Sequence, residues 1–222
     1  MAQSILPCWE GSPINQKQFD CLGVVLAGGL SSRMGKDKSL LTRKKNSANL
    51  DVNMLDFSKQ LLVDAGIANV VVSGDNQQIP DRIAQAGPVG GIYSVLASYP
   101  KHLQPKSLLI LPVDLPLMTA NAIKSLKLKG ELSQQATMFK DSQNKVHHIP
   151  LYLPNNAFLT LFLTQTFQGD MLATPDKSNG KNGPSVKGML KQIPHQVIAS
   201  PNNHLLFNTN TPQEWQQASQ QF

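Results

Sequence analysis

The chain has 222 residues, of which 41% are hydrophobic, and these values predict a globular protein with a substantial core. Its apolar runs fall far short of the roughly 20 residues that a bilayer-spanning helix needs. The N-terminal segment also lacks the pattern of a signal peptide, so we expect a cytoplasmic protein with no membrane partner. The formal net charge is +6, but only 15% of residues are charged and 6% are aromatic, which favours small anionic phosphates over nucleic acid as partners.

The first half of the chain alternates buried strands with amphipathic helices. Apolar runs predict strands at Leu22–Leu26, Ile67–Ser73 and Ser107–Val113. Apolar side chains at three-to-four-residue spacing predict one helix between Asn53 and Gly66 and another through Ile92 and Tyr99. Because strand–helix alternation builds a parallel sheet with helices on both faces, we expect an α/β fold.

The second half of the chain is less regular. Strands are predicted at Ala136–Lys140, Ile149–Leu153 and Gln196–Ala199, a helix at Asn156–Phe167, and a polar loop at Thr174–Pro184. His147 and His148 lack metal-pair spacing and are expected in an exposed loop outside catalysis. A capping box between Thr211 and Glu214 predicts the start of the terminal helix. With no internal repeat, we expect an extension over residues 1–21 and a single domain over 22–222.

The segment directly after the first strand has the composition of a phosphate-binding loop. It reads Leu26-Ala27-Gly28-Gly29-Leu30-Ser31-Ser32-Arg33-Met34-Gly35-Lys36-Asp37-Lys38. Glycines let the backbone amides approach an anion, and Arg33, Lys36 and Lys38 add positive charge. The segment matches neither the Walker A pattern nor G-x-G-x-x-G, which argues against an ATPase and a Rossmann oxidoreductase.

A single carboxylate, Asp114, follows the third strand in the run Leu111-Pro112-Val113-Asp114-Leu115-Pro116. Ligands of open parallel sheets gather beyond the carboxyl ends of the strands, where Asp114 and the glycine-rich loop would both lie. A hard oxygen ligand at this place suits Mg²⁺, which completes its shell with water and substrate phosphate. The alternative is an aspartate that caps the following turn.

Two further segments are candidates for the same cleft, each with a structural alternative. Asp81 precedes a Gly-Pro-x-Gly-Gly turn and either hydrogen-bonds a base or ribose or lies in an exposed turn. Asn208 and Asn210 precede the terminal helix and either approach a cation or substrate or cap that helix.

The chain resembles the molybdenum cofactor guanylyltransferase family over about residues 22–216. Four features carry this resemblance and occur in the family's order: the glycine-rich loop, the Gly87–Gly91 turn, the Asp114 motif and Asn208-Thr209-Asn210-Thr211-Pro212. The resemblance implies a three-layer α/β/α Rossmann-like nucleotidyltransferase domain with a mostly parallel sheet. It also implies Mg²⁺-dependent transfer of GMP from GTP to a molybdopterin-type molybdenum cofactor, with release of pyrophosphate. Molybdoenzyme-maturation proteins are the macromolecular partners that it suggests.

The resemblance also implies roles for individual residues. Leu26, Ala27, Gly28, Gly29, Ser73 and Asp81 would contact the nucleotide, Ser73 standing where the family has an asparagine. Lys38 would act on the phosphates, and Asp114 would bind nucleotide and Mg²⁺. The residues themselves, apart from the resemblance, predict Arg33 as a further cation that acts on the phosphates, and Asn208 and Asn210 near the acceptor or the metal. The chain departs from the family pattern in its segment before the first strand and in Thr42–Ser47.

Three alternatives remain at this point. Two keep the fold and change the substrates: a cytidylyltransferase for the same cofactor and a sugar-phosphate nucleotidyltransferase. The third is a nucleotide-binding accessory protein without turnover, which would not require a metal-binding carboxylate beside a phosphate-binding lysine.

Overall fold

A mostly parallel six-stranded sheet forms the centre of this computed structural model, which describes residues 20–28, 38–43, 51–168 and 182–222. In chain order the strands are β1 Leu22–Leu26, β2 Thr42–Arg43, β3 Val52–Asn53, β4 Asn69–Ser73, β5 Ser107–Pro112, β6 Ala136–Lys140, β7 Val146–Pro154 and β8 His195–Ala199. The sheet order is β4-β1-β5-β7-β6-β8, and β2 pairs separately with β3. Only β7 runs antiparallel to its neighbours within the six-stranded sheet of the described residues.

Helices cover both faces of this sheet. They are α1 Met54–Asp64, α2 Gly87–Ala97, α3 Ala120–Ser133, α4 Ala157–Phe167, α5 Val186–Leu190 and α6 Pro212–Ser219. Local signals start several of them: the Asn53 side chain accepts a hydrogen bond from Asp56 N at the start of α1. Thr211 and Glu214 form the predicted capping box of α6. No helix in the described ranges is long and apolar enough to cross a membrane.

The core consists of two apolar layers, one on each face of the sheet. Leu62 of α1 and Ile123 of α3 belong to the first layer, with Leu109 of β5. Ile92 of α2 and Leu159 of α4 belong to the second layer, together with α5. Each of these side chains is at most 1% exposed, and such burial contributes about 1.5–3 kcal/mol per side chain. The expected α/β fold with a mostly parallel sheet is therefore confirmed.

The predicted elements agree closely with the structure in the first half of the chain. β1 has the predicted bounds, β4 begins two residues later than expected, and β5 ends one residue earlier. Two helices, α3 and α5, and the β2–β3 pair were not predicted. In α3 the exposed Leu128 and Leu132 obscure the buried stripe, which weakens the helical spacing of the apolar residues. Residues 174–181 of the predicted polar loop lie outside the described residues.

The expectation that His147 and His148 lie in an exposed loop was wrong. Both belong to β7 and are half-buried, because Lys140 pairs with Val146 and extends the β6–β7 hairpin beyond the apolar run. His147 Nε2 lies 3.2 Å from Asp141 Oδ2, and this hydrogen bond lowers the pKa of the Asp141 carboxyl. Burial lowers the pKa of His148, and neighbouring positive charges lower it further.

The carboxyl ends of three parallel strands meet at one edge of the sheet. The β1 residue Leu26 pairs with Ser73, the last residue of β4, and with Pro112, the last residue of β5. The segments that follow these strands therefore leave the sheet side by side. This edge holds the candidate site.

Candidate active site

At the end of β1 two chain segments lie in backbone contact. Ala27 N donates a hydrogen bond to Ser73 O at 2.9 Å. A methyl group on Gly74 would lie 2.9 Å from Gly28 N, and one on Gly28 would lie 3.3 Å from Gly74 Cα. Such contacts leave no room for a side chain on Gly74, so glycine is required for the close approach of the two segments.

The side chains of Ser73 and Asp81 lie beside this contact. A methyl group on Gly28 would lie 3.7 Å from Asp81 Oδ2, and one on Gly91 would lie 3.2 Å from Ser73 Oγ and 3.8 Å from Asp81 Oδ1. Ser73 is 1% exposed, and its Oγ has no hydrogen-bond partner in the part of the chain that the structure describes. A buried hydroxyl without a partner is costly, which makes it a candidate for contact with a ligand.

Asp81 places an acidic group beside the glycine contact. Its partial burial raises the pKa of the Asp81 carboxyl, and the negative charge of Asp75 raises it further. Asp75 was not singled out from the sequence, although it follows β4 by two residues, at the edge where ligands of such sheets bind. The arrangement presents carboxyl oxygens as hydrogen-bond acceptors beside the glycine contact.

A second cluster joins three distant parts of the chain through Lys38. Lys38 begins the 3-10 turn Lys38–Leu40, Asp114 follows β5, and Asn210 precedes α6. Lys38 Nζ donates to Asp114 Oδ2 at 3.1 Å and to Asn210 Oδ1 at 2.6 Å. The side chains of Lys38 and Asp114 are each 16% exposed, so the ion pair is largely shielded from water.

The backbone and the second carboxylate oxygen of Asp114 have different surroundings. Thr209 N donates to Asp114 O at 2.9 Å and its hydroxyl donates to the same oxygen at 3.3 Å. Asp114 Oδ1, in contrast, is buried and has no hydrogen-bond partner among the described residues. An ionised oxygen in such a position carries a desolvation cost that a bound cation would offset.

The donor set at Asp114 fits Mg²⁺. It consists of hard oxygen atoms, the carboxylate of Asp114 and the side-chain carbonyl of Asn210, and Mg²⁺ typically takes one or two carboxylates with water and substrate phosphates. The described residues contain no group of three or more His, Cys, Asp or Glu side chains that could hold a metal ion. A site shared with substrate oxygens therefore suits these residues better than a metal held by protein ligands alone.

Arg43 contacts the segment that follows Asp114. Its Nε donates to Pro116 O at 3.0 Å, and its guanidinium lies 4.5 Å from the ring centre of Phe57 and 4.8 Å from that of Phe222. Burial lowers the pKa of Arg43. Nothing in the local sequence around Arg43 indicates this contact with Pro116, which lies 73 positions away.

The predicted site residues therefore fall into two groups at one edge of the sheet. Leu26, Ala27, Gly28, Ser73 and Asp81 lie at the glycine contact, and Lys38, Asp114 and Asn210 form the ion-pair cluster. Asn208 is exposed and takes no part in the hydrogen bonds of this cluster within the described ranges. Gly29, Arg33 and Lys36 lie outside the described residues.

Comparison with known proteins places the chain in a family. The model of the MobA-like NTP transferase domain matches residues 23–171. The chain is 31% identical to the molybdenum cofactor guanylyltransferase of Xanthomonas euvesicatoria pv. vesicatoria over 198 residues, which cover 87% of this chain and 91% of that protein. It is 27% identical to the probable molybdenum cofactor guanylyltransferase of Flavobacterium johnsoniae over 195 residues, covering 86% and 92%.

A solved structure shares the same fold. The molybdopterin-guanine dinucleotide biosynthesis protein A of Archaeoglobus fulgidus superposes with a TM-score of 0.63 at 16% identity, covering 90% of this chain and 97% of that one. Together, the family match, the relatives and the fold show that this chain belongs to the MobA-like NTP transferase family and is a nucleotidyltransferase.

Proposed function

We propose that this protein transfers GMP from GTP to a molybdopterin-type molybdenum cofactor and releases pyrophosphate. The observation that carries the proposal is the Lys38–Asp114–Asn210 cluster, which lies at the same sheet edge as the glycine contact. This juxtaposition offers separate places for a base and for a polyphosphate. The names of the relatives, molybdenum cofactor guanylyltransferases, support the choice of substrates.

The glycine contact is the proposed base site. Guanine presents an N1–H and an amino group as neighbouring donors, and the carboxyl oxygens of Asp81 are suitable acceptors for them. Peptide groups of Leu26, Ala27 and Gly28 can lie against the ring because Gly28 has no Cβ. A pyrimidine would leave part of these polar groups unpaired, which is the usual origin of strong discrimination.

The Lys38 cluster is the proposed phosphate site. Lys38, with Arg33 as a second cation, would neutralise the triphosphate, and Asp114 with Asn210 would hold Mg²⁺. When bound, Mg²⁺ would supply charge stabilisation for the phosphate oxygens. The Lys38 ammonium has three donor hydrogens, so it can donate to a phosphate oxygen while it keeps its hydrogen bonds to Asp114 and Asn210.

The transfer itself requires no protein nucleophile. An acceptor phosphate oxygen forms a bond to the α-phosphorus of GTP, the bond between this phosphorus and the β-phosphate oxygen breaks, and pyrophosphate leaves with the electron pair. Catalysis then rests on positioning and on cations and backbone amides that stabilise charge on the transferring and leaving groups.

The first experiment tests the choice of base. Pyrophosphate release is measured with GTP and with CTP, in the presence of Mg²⁺ and molybdopterin cofactor, and kcat/KM should favour GTP by well over about tenfold. Comparable values for the two nucleotides would refute guanylyl transfer and favour the cytidylyltransferase reading. In the same assay Gly28→Ala should erode the preference, since its methyl group would lie 3.3 Å from Gly74 Cα, closer than an ordinary contact, in the space proposed for the base. Gly188→Ala in α5 is the matched control, because its methyl group would make only ordinary contacts of 3.4 and 3.9 Å.

The second experiment tests the assignment of Asp114. Asp114→Asn keeps the shape of the side chain and removes its charge, so turnover should fall by at least about 100-fold while circular dichroism stays unchanged. Asp64→Asn, at an exposed carboxylate at the end of α1, is the control and should retain turnover. Near-normal Mg²⁺-dependent turnover in Asp114→Asn would remove the basis for this assignment.

A further inference from the structure

Glu214, in the first turn of α6, holds the backbone of Asn210. Glu214 Oε2 accepts hydrogen bonds from Thr211 N at 2.9 Å and from Asn210 N at 2.7 Å. Glu214 N in turn donates to Thr211 Oγ1 at 3.2 Å. The contacts with Thr211 form an ordinary capping box, whereas the bond from Asn210 N lies one residue outside it. Helix capping alone does not require this additional bond.

The residue held in this way contacts the phosphate side of the site directly. Asn210 Oδ1 accepts from Lys38 Nζ at 2.6 Å, and Lys38 Nζ also donates to Asp114 Oδ2. One residue earlier, Thr209 N donates to Asp114 O. The backbone of 209–211 is therefore attached to the Asp114 segment on one side and to Glu214 on the other. A shift of Asn210 would move one of the two protein acceptors of Lys38.

The charge of Glu214 suits this arrangement. The hydrogen bond from the Asn210 backbone is the main cause that lowers the pKa of the Glu214 carboxyl, and bonds from Thr211 and the positive charge of Lys38 lower it further. Glu214 is consequently ionised at neutral pH. Hydrogen bonds to an ionised acceptor are shorter and stronger than neutral ones, so they restrain the Asn210 backbone more firmly.

We propose that Glu214 is a positioning residue for nucleotidyl transfer: it fixes the Asn210 backbone so that Asn210 Oδ1 and Asp114 hold the Lys38 ammonium between them. The inference rests on the proposed function for the identity of the nucleotide and the acceptor. Glu214 itself does not touch the reacting atoms. It acts through Asn210 and Lys38.

The test compares Glu214→Ala, Glu214→Gln and Thr211→Ala in the full chain. Glu214→Ala removes both backbone hydrogen bonds. We expect kcat/KM to fall by about 10- to 100-fold, because a small misplacement of groups near a reaction centre causes losses of this size. Glu214→Gln retains an oxygen that can accept both bonds and should stay within about threefold of the unaltered protein. Thr211→Ala weakens the cap of the same helix but keeps the bond from Asn210 N. It should lower the melting temperature as Glu214→Ala does while retaining kcat/KM within about threefold.

The assay uses whichever of GTP and CTP the unaltered protein turns over better, with Mg²⁺ and molybdopterin cofactor. Affinity for the same nucleotide, measured by calorimetry, is the second readout and should weaken in Glu214→Ala but not in Thr211→Ala. A preference for CTP would overturn guanylyl transfer and leave the test of Glu214 intact. Unchanged kcat/KM and affinity in Glu214→Ala would overturn the positioning role, as would equal losses in Thr211→Ala. If Glu214→Ala fails to fold, Glu214→Asp replaces it in the test. Its carboxylate keeps the charge but is one methylene too short to reach Asn210 N, so the same loss of kcat/KM is expected.

Discussion

Removal of the Lys38 ammonium should destabilise the protein through the carboxylate that it leaves behind. In Lys38→Met the apolar stem is preserved and Asp114 Oδ2 loses the ammonium, while Asp114 Oδ1 already has no hydrogen-bond partner within the described residues. Removing one partner of a fully buried ion pair costs about 3–5 kcal/mol. Because each side chain here is still 16% exposed, we expect a smaller loss, about 2 kcal/mol, close to that of an unsatisfied buried polar group.

A double-mutant cycle separates this effect from a general loss of packing. Lys38→Met leaves the Asp114 charge without its partner, and Asp114→Asn removes that charge. The free energy of unfolding of the double variant should therefore be about 1–2 kcal/mol higher than the two single losses predict when they are added. For a chain of this size, a loss of about 2 kcal/mol corresponds to a fall in melting temperature of about 4–8 °C. Urea unfolding of the four proteins gives the free energies, and thermal unfolding provides an independent check.

The surface pair Lys106–Asp20 is the matched control for the cycle. Lys106 Nζ lies 2.8 Å from Asp20 Oδ1, but the two side chains are 62% and 83% exposed. Exposed pairs of this kind contribute about 0–1 kcal/mol, so Lys106→Met should change stability little. Strictly additive losses at Lys38 and Asp114, or a loss at Lys106 as large as that at Lys38, would refute the reasoning. Mg²⁺ should also stabilise Lys38→Met more than the unaltered protein, and should not stabilise a variant that carries Asp114→Asn.

Three further outcomes are expected. Asp81→Asn should raise the free energy of unfolding at neutral pH, because burial and the charge of Asp75 raise the pKa of Asp81 and disfavour its ionised form. The same substitution should weaken GTP binding by about tenfold in calorimetry. Arg43→Lys keeps the charge but loses both the Nε bond to Pro116 O and the stacking between two aromatic rings, so urea unfolding should show a loss of about 1–2 kcal/mol. The lowered pKa of Glu214 adds stability that is present above the unfolded value of about 4.3 and is lost as the pH falls through the folded value. The stability difference between the unaltered protein and Glu214→Gln should therefore shrink between pH 7 and pH 3 in chemical unfolding, and a constant difference would contradict this.

The elements that the sequence predicts well are those whose signals are local. The run Leu22–Leu26 is apolar and ends at glycines, and β1 has the same bounds in the structure. Asn53 and Thr211 stand directly before helical spacing, and both accept the expected capping hydrogen bonds. Such signals involve residues within about one turn of one another, so the sequence alone contains the information. Asp114 was also predictable as a candidate, because a carboxylate directly after a buried strand is unusual in a folded core.

The pairing of the site residues depends on the tertiary structure. Lys38 is 76 positions from Asp114 and 172 from Asn210, and no local pattern specifies which of Asn208 and Asn210 turns toward it. Similarly, the apolar run of β7 gives no sign that this strand is antiparallel and lies between β5 and β6. Glu214 shows the division most clearly: its spacing from Thr211 predicts a capped helix, whereas its bond from Asn210 N and the contact of Asn210 with Lys38 exist only after the chain has folded. Local order follows from steric and capping preferences of neighbouring residues, while these long-range contacts follow from the packing of helices on both faces of the sheet, which brings the segments to a common edge.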